Sequence, residues 1–422
     1  MTKLLKTLAE AETFLLGYSP EKQSGETYKL DRMRVFMERL GNPQNDIPAI
    51  HVAGTSGKTS TSYFIRALLE AHGKKTGLTA SPHIDSITER VQVGGSPLEE
   101  SSFLNYLNEF LQIVTNWDDL QPTYFELLVA FAFWVFKQEA VDYIVIEVGL
   151  GGLLDATNVI ESSSKIAVIT PIGLDHTEVL GGTIEAIARQ KAGIIMQKMR
   201  VFSADQELAA LRMLREVCEA TSSQLDVIAP LFDDASDVPL FQQANYQLAH
   251  RVIEYIVERD GLKTIPDELD AACLAKTPPG RFEVYELANK TIIVDGAHNP
   301  QKLAMFMQSL QQKYPDTSFA WLVGFISAPD HKIKACLDEI LHSTDEYIFT
   351  DFTVGQDIKG RRSADSSVLT KMAGERGFRA VSQPDIDVAL EHLLASKKRT
   401  VVITGSLYLV AKLHARIKSL AG

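Results

Sequence analysis

The stretch His51-Val52-Ala53-Gly54-Thr55-Ser56-Gly57-Lys58-Thr59-Ser60 joins two kinds of periodicity. The apolar run Ile50 to Ala53 leads into it, and Tyr63, Phe64, Ala67, Leu68 and Ala71 continue it on one helical face, so the local order is strand, loop, helix. Glycines here let backbone N–H groups turn inward, Lys58 supplies positive charge, and the Thr59 hydroxyl suits a magnesium ion. This is a nucleotide-phosphate cradle at a helix N-terminus. The usual pattern places a glycine at position 52; Val52 stands there and the first glycine is Gly54, so the loop is a shortened variant.

Outward from that loop the pattern recurs. Tyr143 to Val148 and Lys165 to Thr170 are β-branched runs among helical segments, as in a mainly parallel α/β sheet. Pro278, Pro279 and Gly280 break a helical pattern, which places a domain boundary there: 1–280, a P-loop ATPase domain, and 281–422, a smaller α/β domain. Strands are expected at Thr291–Val294, Phe319–Val323, Glu346–Thr350 and Thr400–Thr404. Helices are expected at Gln301–Lys313, Lys332–His342, Ser366–Arg376 and Leu407–Ser419. Asp226 to Pro239 reads as a surface loop.

Polar residues fall where strands end. Glu147 closes Ile144-Val145-Ile146 before Gly149-Leu150-Gly151-Gly152 and suits a hard-oxygen site for magnesium. His176, in Leu174-Asp175-His176-Thr177, repeats that logic and makes a second metal site a candidate. Asp295 and His298, in Asp295-Gly296-Ala297-His298-Asn299-Pro300, follow a third strand. Lys191 lies on a helix, and nothing in its local sequence distinguishes it.

The 422 residues carry 42 Lys+Arg against 54 Asp+Glu, a net charge of −12. No stretch forms the basic face that nucleic-acid binding needs. Cys218, Cys273 and Cys336 lie far apart, so neither a disulfide framework nor a CxxC metal or redox site is read from them, and a reducing compartment fits best. Met1 to Gly17 reads as an amphipathic helix rather than a signal peptide. The longest apolar run, Leu127 to Phe136, is short of the ~20 residues of a membrane span and reads as a core helix. A cytoplasmic location is the expectation.

Taken in order, several motifs make the chain resemble the folylpolyglutamate synthases, including bifunctional dihydrofolate synthases, of the Mur ligase superfamily. They are Gly54-Thr55-Ser56-Gly57-Lys58, Ser81-Pro82-His83, Thr88-Glu89-Arg90, Glu147 to Gly152, Leu154-Asp155-Ala156-Thr157-Asn158, Leu174 to Thr177, Lys191-Ala192-Gly193-Ile194, Pro279-Gly280-Arg281, Asp295 to Pro300 and Gly405-Ser406-Leu407-Tyr408. The resemblance implies an N-terminal ATPase domain, a C-terminal Rossmann-like domain and an active site in the cleft between them. It implies that Ser56 to Thr59 hold the phosphates of ATP, that Asn245, Arg281 and Asp295 contact ATP, and that Ser81, Glu147 and His176 ligate magnesium. Lys191 matches a lysine that is carbamylated in the family. The pteroate-bearing substrate, a folate or dihydropteroate, would lie against Thr123-Tyr124-Phe125-Glu126 and Leu154-Asp155-Ala156, with L-glutamate as the second small-molecule partner and a monomer as the expected state.

Three departures bear on the substrate. Thr59 stands where folate-pathway members usually have glycine, Leu153 stands where the family commonly has arginine, and Gly324-Phe325-Ile326-Ser327-Ala328 differs from the usual Lys-Asp-containing turn. The first supports an alternative, a Mur-type ligase acting on a peptidoglycan precursor. Such ligases generally carry an extra N-terminal domain, and the roughly 50 residues before the phosphate loop are few for one. A nucleotide-binding regulatory protein is the alternative outside enzymes; the presence of Lys58, Glu147 and His176 disfavours it.

Overall fold

The computed structural model describes residues 4–19, 30–117, 119–233, 236–356 and 360–422. It divides into two compact units, Met1–Phe232 with Gln242–Thr277, and Asp233–Phe241 with Pro278–Gly422.

The first unit is built on eight strands: β1 Ala49–Ala53, β2 Thr76–Thr79, β3 Gln92–Val93, β4 Ser96–Pro97, β5 Tyr143–Glu147, β6 Ile166–Ile169, β7 Arg200–Ala204 and β8 Gln224–Ile228. Their order is β4-β3-β2-β5-β1-β6-β7-β8. All pairs are parallel except β2 with β3 and β3 with β4. Every residue of β1, β5 and β6 is buried, as expected of strands covered by helices on both faces. Helix Tyr124–Gln138 carries the apolar run Leu127 to Phe136 into one core, with Phe103, Phe110 and Phe36. Helix Lys58–Ala71 buries Phe64, Leu68 and Leu69 in another.

The second unit holds six strands: β9 Glu283–Leu287, β10 Lys290–Val294, β11 Ala320–Val323, β12 Glu346–Phe349, β13 Ala380–Ser382 and β14 Thr400–Thr404. Their order is β13-β12-β11-β14-β10-β9, and only β9 with β10 is antiparallel. Its core packs Trp321, Tyr347, Phe306 and Leu310. Helices Pro300–Lys313, Asp330–Ile340, Ser366–Glu375 and Leu407–Ala421 alternate with the strands in an α/β arrangement.

Two expectations need correction. The loop expected over Asp226 to Pro239 begins too early, because Asp226 to Ile228 pair with β7 as the edge strand β8. Alternating partial exposure on an edge strand gives it the polar composition of a loop. Residues 234–235 of that stretch lie outside the described residues. The N-terminal helix spans only Leu8–Leu16, because Thr7 caps it by accepting from the Glu10 amide; Met1 to Lys3 lie outside the described residues. No helix among the described residues is long and apolar enough to cross a membrane.

Candidate active site

Strand β1 lies between β5 and β6, so the loops leaving these three strands meet at one sheet edge. Val52 pairs with Glu147 and Ala53 with Ile169. The strand-end residues singled out by spacing are therefore neighbours, at the edge where open parallel sheets bind ligands.

The phosphate loop is held from both sides. Gly54 has φ 150°, and a Cβ there would fall 1.8 Å from Thr170 Oγ1. Gly57 has φ 83° and caps the helix Lys58–Ala71; its Cβ would fall 2.2 Å from Asn245 Oδ1. Only glycine tolerates both the conformation and the contact. The buried Asn245, expected at the nucleotide, thus packs directly on the loop.

The loop is also braced through its backbone. The amides of Thr55 and Ser56 donate to Pro171 O at 2.9 and 3.2 Å, and the Thr55 hydroxyl donates to Gly173 O at 3.1 Å. These two amides brace the loop against the chain leaving β6. With Val52 inside β1, the loop starts two residues late and its first half runs along that chain. The helix begins after Gly57, where its first-turn amides lack intrahelical partners, the arrangement that favours an anion at a helix N-terminus.

Lys58 Nζ donates to Gly54 O at 3.1 Å, and Lys191 Nζ reaches the same oxygen at 2.7 Å. Lys191, on helix Ile184–Ala192, is buried, which its local sequence did not reveal. Two cations therefore converge on one carbonyl beside the loop.

Glu147 is buried, its Oε1 accepting from the Thr59 hydroxyl at 2.9 Å and its Oε2 from the Ser81 amide at 3.2 Å. Thr59, Ser81 and Glu147, three of the four expected metal ligands, are thus brought together. Among the described residues no three His, Cys, Asp or Glu side chains form a cage for a metal. The donors gathered at Glu147 are one carboxylate and two hydroxyl-bearing residues, hard oxygens that fit magnesium, which keeps several waters and takes few protein ligands. His176 stands on the turn after β6 at φ 48°, with ring nitrogens 3.8 Å from Asp175 and from Glu178.

Glu89, within the motif Thr88-Glu89-Arg90, shapes the segment after Ser81. Its carboxylate accepts from the amides of Ile84, Asp85 and Ser86 at 3.0, 2.6 and 2.9 Å. The Ser86-x-x-Glu89 capping box is the sequence signal for this. Arg90 Nε donates to His83 Nδ1 at 3.1 Å, and burial, with Arg90 nearby, holds that imidazole well below its ordinary pKa.

The expected pteroate-binding residues divide by role. Thr123 and Glu126 form a capping box on helix Tyr124–Gln138, and Glu126 also receives Arg32 through Nε at 2.8 Å and Nη2 at 2.9 Å. Asp155 is buried and accepts from the Leu150 and Thr157 amides at 2.8 and 3.0 Å. Both carboxylates shape the protein from within. Tyr124 is buried, its amide donating to Tyr18 O, and Ala156 is also buried. Phe125 packs its ring on Gly149, where a Cβ would fall 2.4 Å from it. Leu153 and Leu154 are exposed and present apolar surface.

In the second unit Arg281 and Asp295 occupy adjoining turns. Asp295 accepts from the Phe282 amide at 2.9 Å and the Ala297 amide at 2.7 Å. Burial pushes its carboxyl up to about 6 against the opposing pull of Arg281. His298 Nδ1 lies 2.7 Å from Gly296 O, and its Nε2 lies 3.0 Å from Lys302 Nζ.

The chain is similar to known proteins over most of its length. Residues 52–222 match the Mur ligase middle domain and residues 282–417 the dihydrofolate synthetase C-terminal domain. The chain is 33% identical to the dihydrofolate synthase/folylpolyglutamate synthase of Mycobacterium tuberculosis, over 82% of this chain and 78% of that one. It superposes on E. coli FolC in complex with DHPP and ADP with a TM-score of 0.85 at 27% identity, covering 99% of each chain. It superposes on a bifunctional folylpolyglutamate synthase/dihydrofolate synthase with Mn, AMPPNP and L-glutamate bound with a TM-score of 0.80 at 28% identity, covering 98% of this chain and 99% of that one.

Proposed function

The chain belongs to the folylpolyglutamate synthase/dihydrofolate synthase family, and from that premise we propose an ATP-dependent ligase that joins L-glutamate to a folate-type carboxylate through an acyl phosphate. The observation that carries this reading is the grouping of Lys58, Lys191, Thr59 and Glu147 around one phosphate loop.

In the first step a carboxylate oxygen of the acceptor attacks the γ-phosphorus of ATP, and the bond to the β,γ-bridging oxygen breaks as ADP leaves. Lys58 and the amides opening helix Lys58–Ala71 neutralise charge on the transferring oxygens. The amine of glutamate then attacks the acyl carbon, phosphate leaves, and the amine's surplus proton passes to solvent or phosphate. A magnesium ion held at Glu147, Thr59 and Ser81 would supply further charge neutralisation at the phosphates. His176 belongs to the same reading as a ligand of a second ion. Asn245, Arg281, Asp295 and His298 contact the nucleotide, and Phe125 with Leu154 lines the pteroate site. Carbamylation of Lys191 would replace a buried cation with an anionic oxygen ligand beside the loop; intact-mass spectrometry in bicarbonate tests it. The reading also carries a monomer in a reducing cytoplasm, consistent with three buried, unbridged cysteines.

The test is phosphate release from ATP with magnesium and L-glutamate, with dihydropteroate or tetrahydrofolate in separate reactions and Lys58→Ala as control. Release with dihydropteroate alone identifies a dihydrofolate synthase, release with tetrahydrofolate alone a folylpolyglutamate synthase, and release with both a bifunctional enzyme. If neither acceptor stimulates release above the control, the folate reading fails, and Thr59 with Leu153 directs attention to another carboxylate.

A further inference from the structure

We infer that His414, on the C-terminal helix, is a positioning residue for the turn that presents Arg281; the inference rests on the reading of Arg281 and Asp295 as nucleotide contacts.

Strand β9 opens at Glu283 opposite Val294, so residues 280–282 and 295–297 leave the same end of one hairpin. The turns are cross-linked: the Gly296 amide donates to Gly280 O at 3.0 Å and the Phe282 amide to Asp295. Gly296 has no side chain, and Arg281 Nη1 lies against it, 3.2 Å from where a Cβ would be. Phe282 has φ 52°, a costly conformation for an aromatic residue that needs outside restraint.

Glu283 supplies that restraint. Its Oε2 accepts from the Gly280 amide at 2.6 Å and from His414 Nε2 at 2.7 Å, while its Oε1 accepts from the Tyr285 hydroxyl at 3.2 Å. Tyr285 also lies 3.0 Å from His414 Nε2. The His414 side chain is fully buried, 131 residues from Glu283 in sequence. The start of its helix serves the other turn, because the Gly405 amide donates to Ala297 O at 3.0 Å and Leu407 packs on Gly296. One helix thus holds the Asp295 turn at its N-terminus and, two turns later, the Arg281 turn through His414 and Glu283. An apolar side chain at 414 would leave a partly buried carboxylate short of one donor and less firmly held against Gly280.

The experiment measures KM for ATP, KM for glutamate, kcat and the Kd of ADP in the full-length protein carrying His414→Leu, His414→Gln or Arg281→Ala, with thermal unfolding of each. Expected for His414→Leu is about a tenfold rise in ATP KM and ADP Kd, the size of one lost hydrogen bond to a charged group, with kcat and glutamate KM within about twofold. His414→Gln, whose amide still donates, restores most of the affinity. Should the leucine variant not fold, His414→Asn, too short to reach Glu283, is expected to show the same split. If Arg281→Ala weakens ATP while the leucine or asparagine variant does not, the coupling is refuted. It is refuted equally if every kinetic parameter worsens together. If Arg281→Ala leaves ATP unaffected, the nucleotide reading of the turn falls and the inference with it.

Discussion

The hydroxyl of Thr59 donates to Glu147 Oε1 across 2.9 Å, although 88 residues separate them. Thr59 lies in the first turn of helix Lys58–Ala71 and Glu147 closes β5, so the bond ties the phosphate loop to the carboxylate proposed to hold the metal. Thr59→Val should raise the magnesium concentration for half-maximal activity about tenfold, while Thr59→Ser stays within about twofold, since a hydrogen bond to a charged group contributes about 1.5–3 kcal/mol. Magnesium titration of phosphate release reads this; equal behaviour of the two variants would exclude a role for the hydroxyl.

Gly57 combines φ 83° with contact to Asn245, so two penalties can be separated. Gly57→Ala should lower stability by about 2–4 kcal/mol, and adding Asn245→Ala should recover the steric part but not the cost of the left-handed backbone. Denaturant unfolding of the two single variants and the double variant measures the coupling; simple additivity would show that Asn245 is not what excludes a side chain there.

The carboxyl of Asp295, lifted by burial from 3.8 to about 6, makes stability depend on pH. Protonation is easier in the folded protein, so this group's stabilising contribution is complete below about 3.8 and is lost as pH rises through about 6. The stability difference between wild type and Asp295→Asn should therefore shift by about 2 kcal/mol against the wild type between pH 4 and pH 7. Urea titrations across that range test it, and a flat difference would refute it.

Arg32 and Glu126 form a two-pronged ion pair in which the carboxylate is the more buried partner. Arg32→Ala should destabilise the protein by about 2–4 kcal/mol by leaving that charge short of donors, and Arg32→Lys should recover only part, because an ammonium cannot reproduce the fork. Thermal and denaturant unfolding provide the readout; a loss below about 1 kcal/mol would mark the pair as solvent-screened.

Where the chemistry is written in consecutive residues, it was legible. The loop Gly54 to Thr59 between an apolar run and a helical face, the glutamate closing β5 and the turn Asp295 to Pro300 follow from local periodicity and backbone demands. Contacts made across the fold were not. Lys191 gave no local sign of its burial or of the Gly54 carbonyl 137 residues away. Nor did the loop's own residues reveal that the amides of Thr55 and Ser56 donate to Pro171 O. Glu126 and Asp155, which the family pattern places at the pteroate site, also accept from backbone amides.

The amino-acid order alone therefore settled the alternation of strand and helix, the phosphate loop and the family pattern, because these depend on side-chain period and on glycines within a few residues of one another. Strand order, the burial of Lys191 and the chain from His414 through Glu283 to Gly280 came from the folded protein. Each joins residues far apart in sequence, and hydrogen bonding becomes specific only after packing has removed water and aligned donor with acceptor.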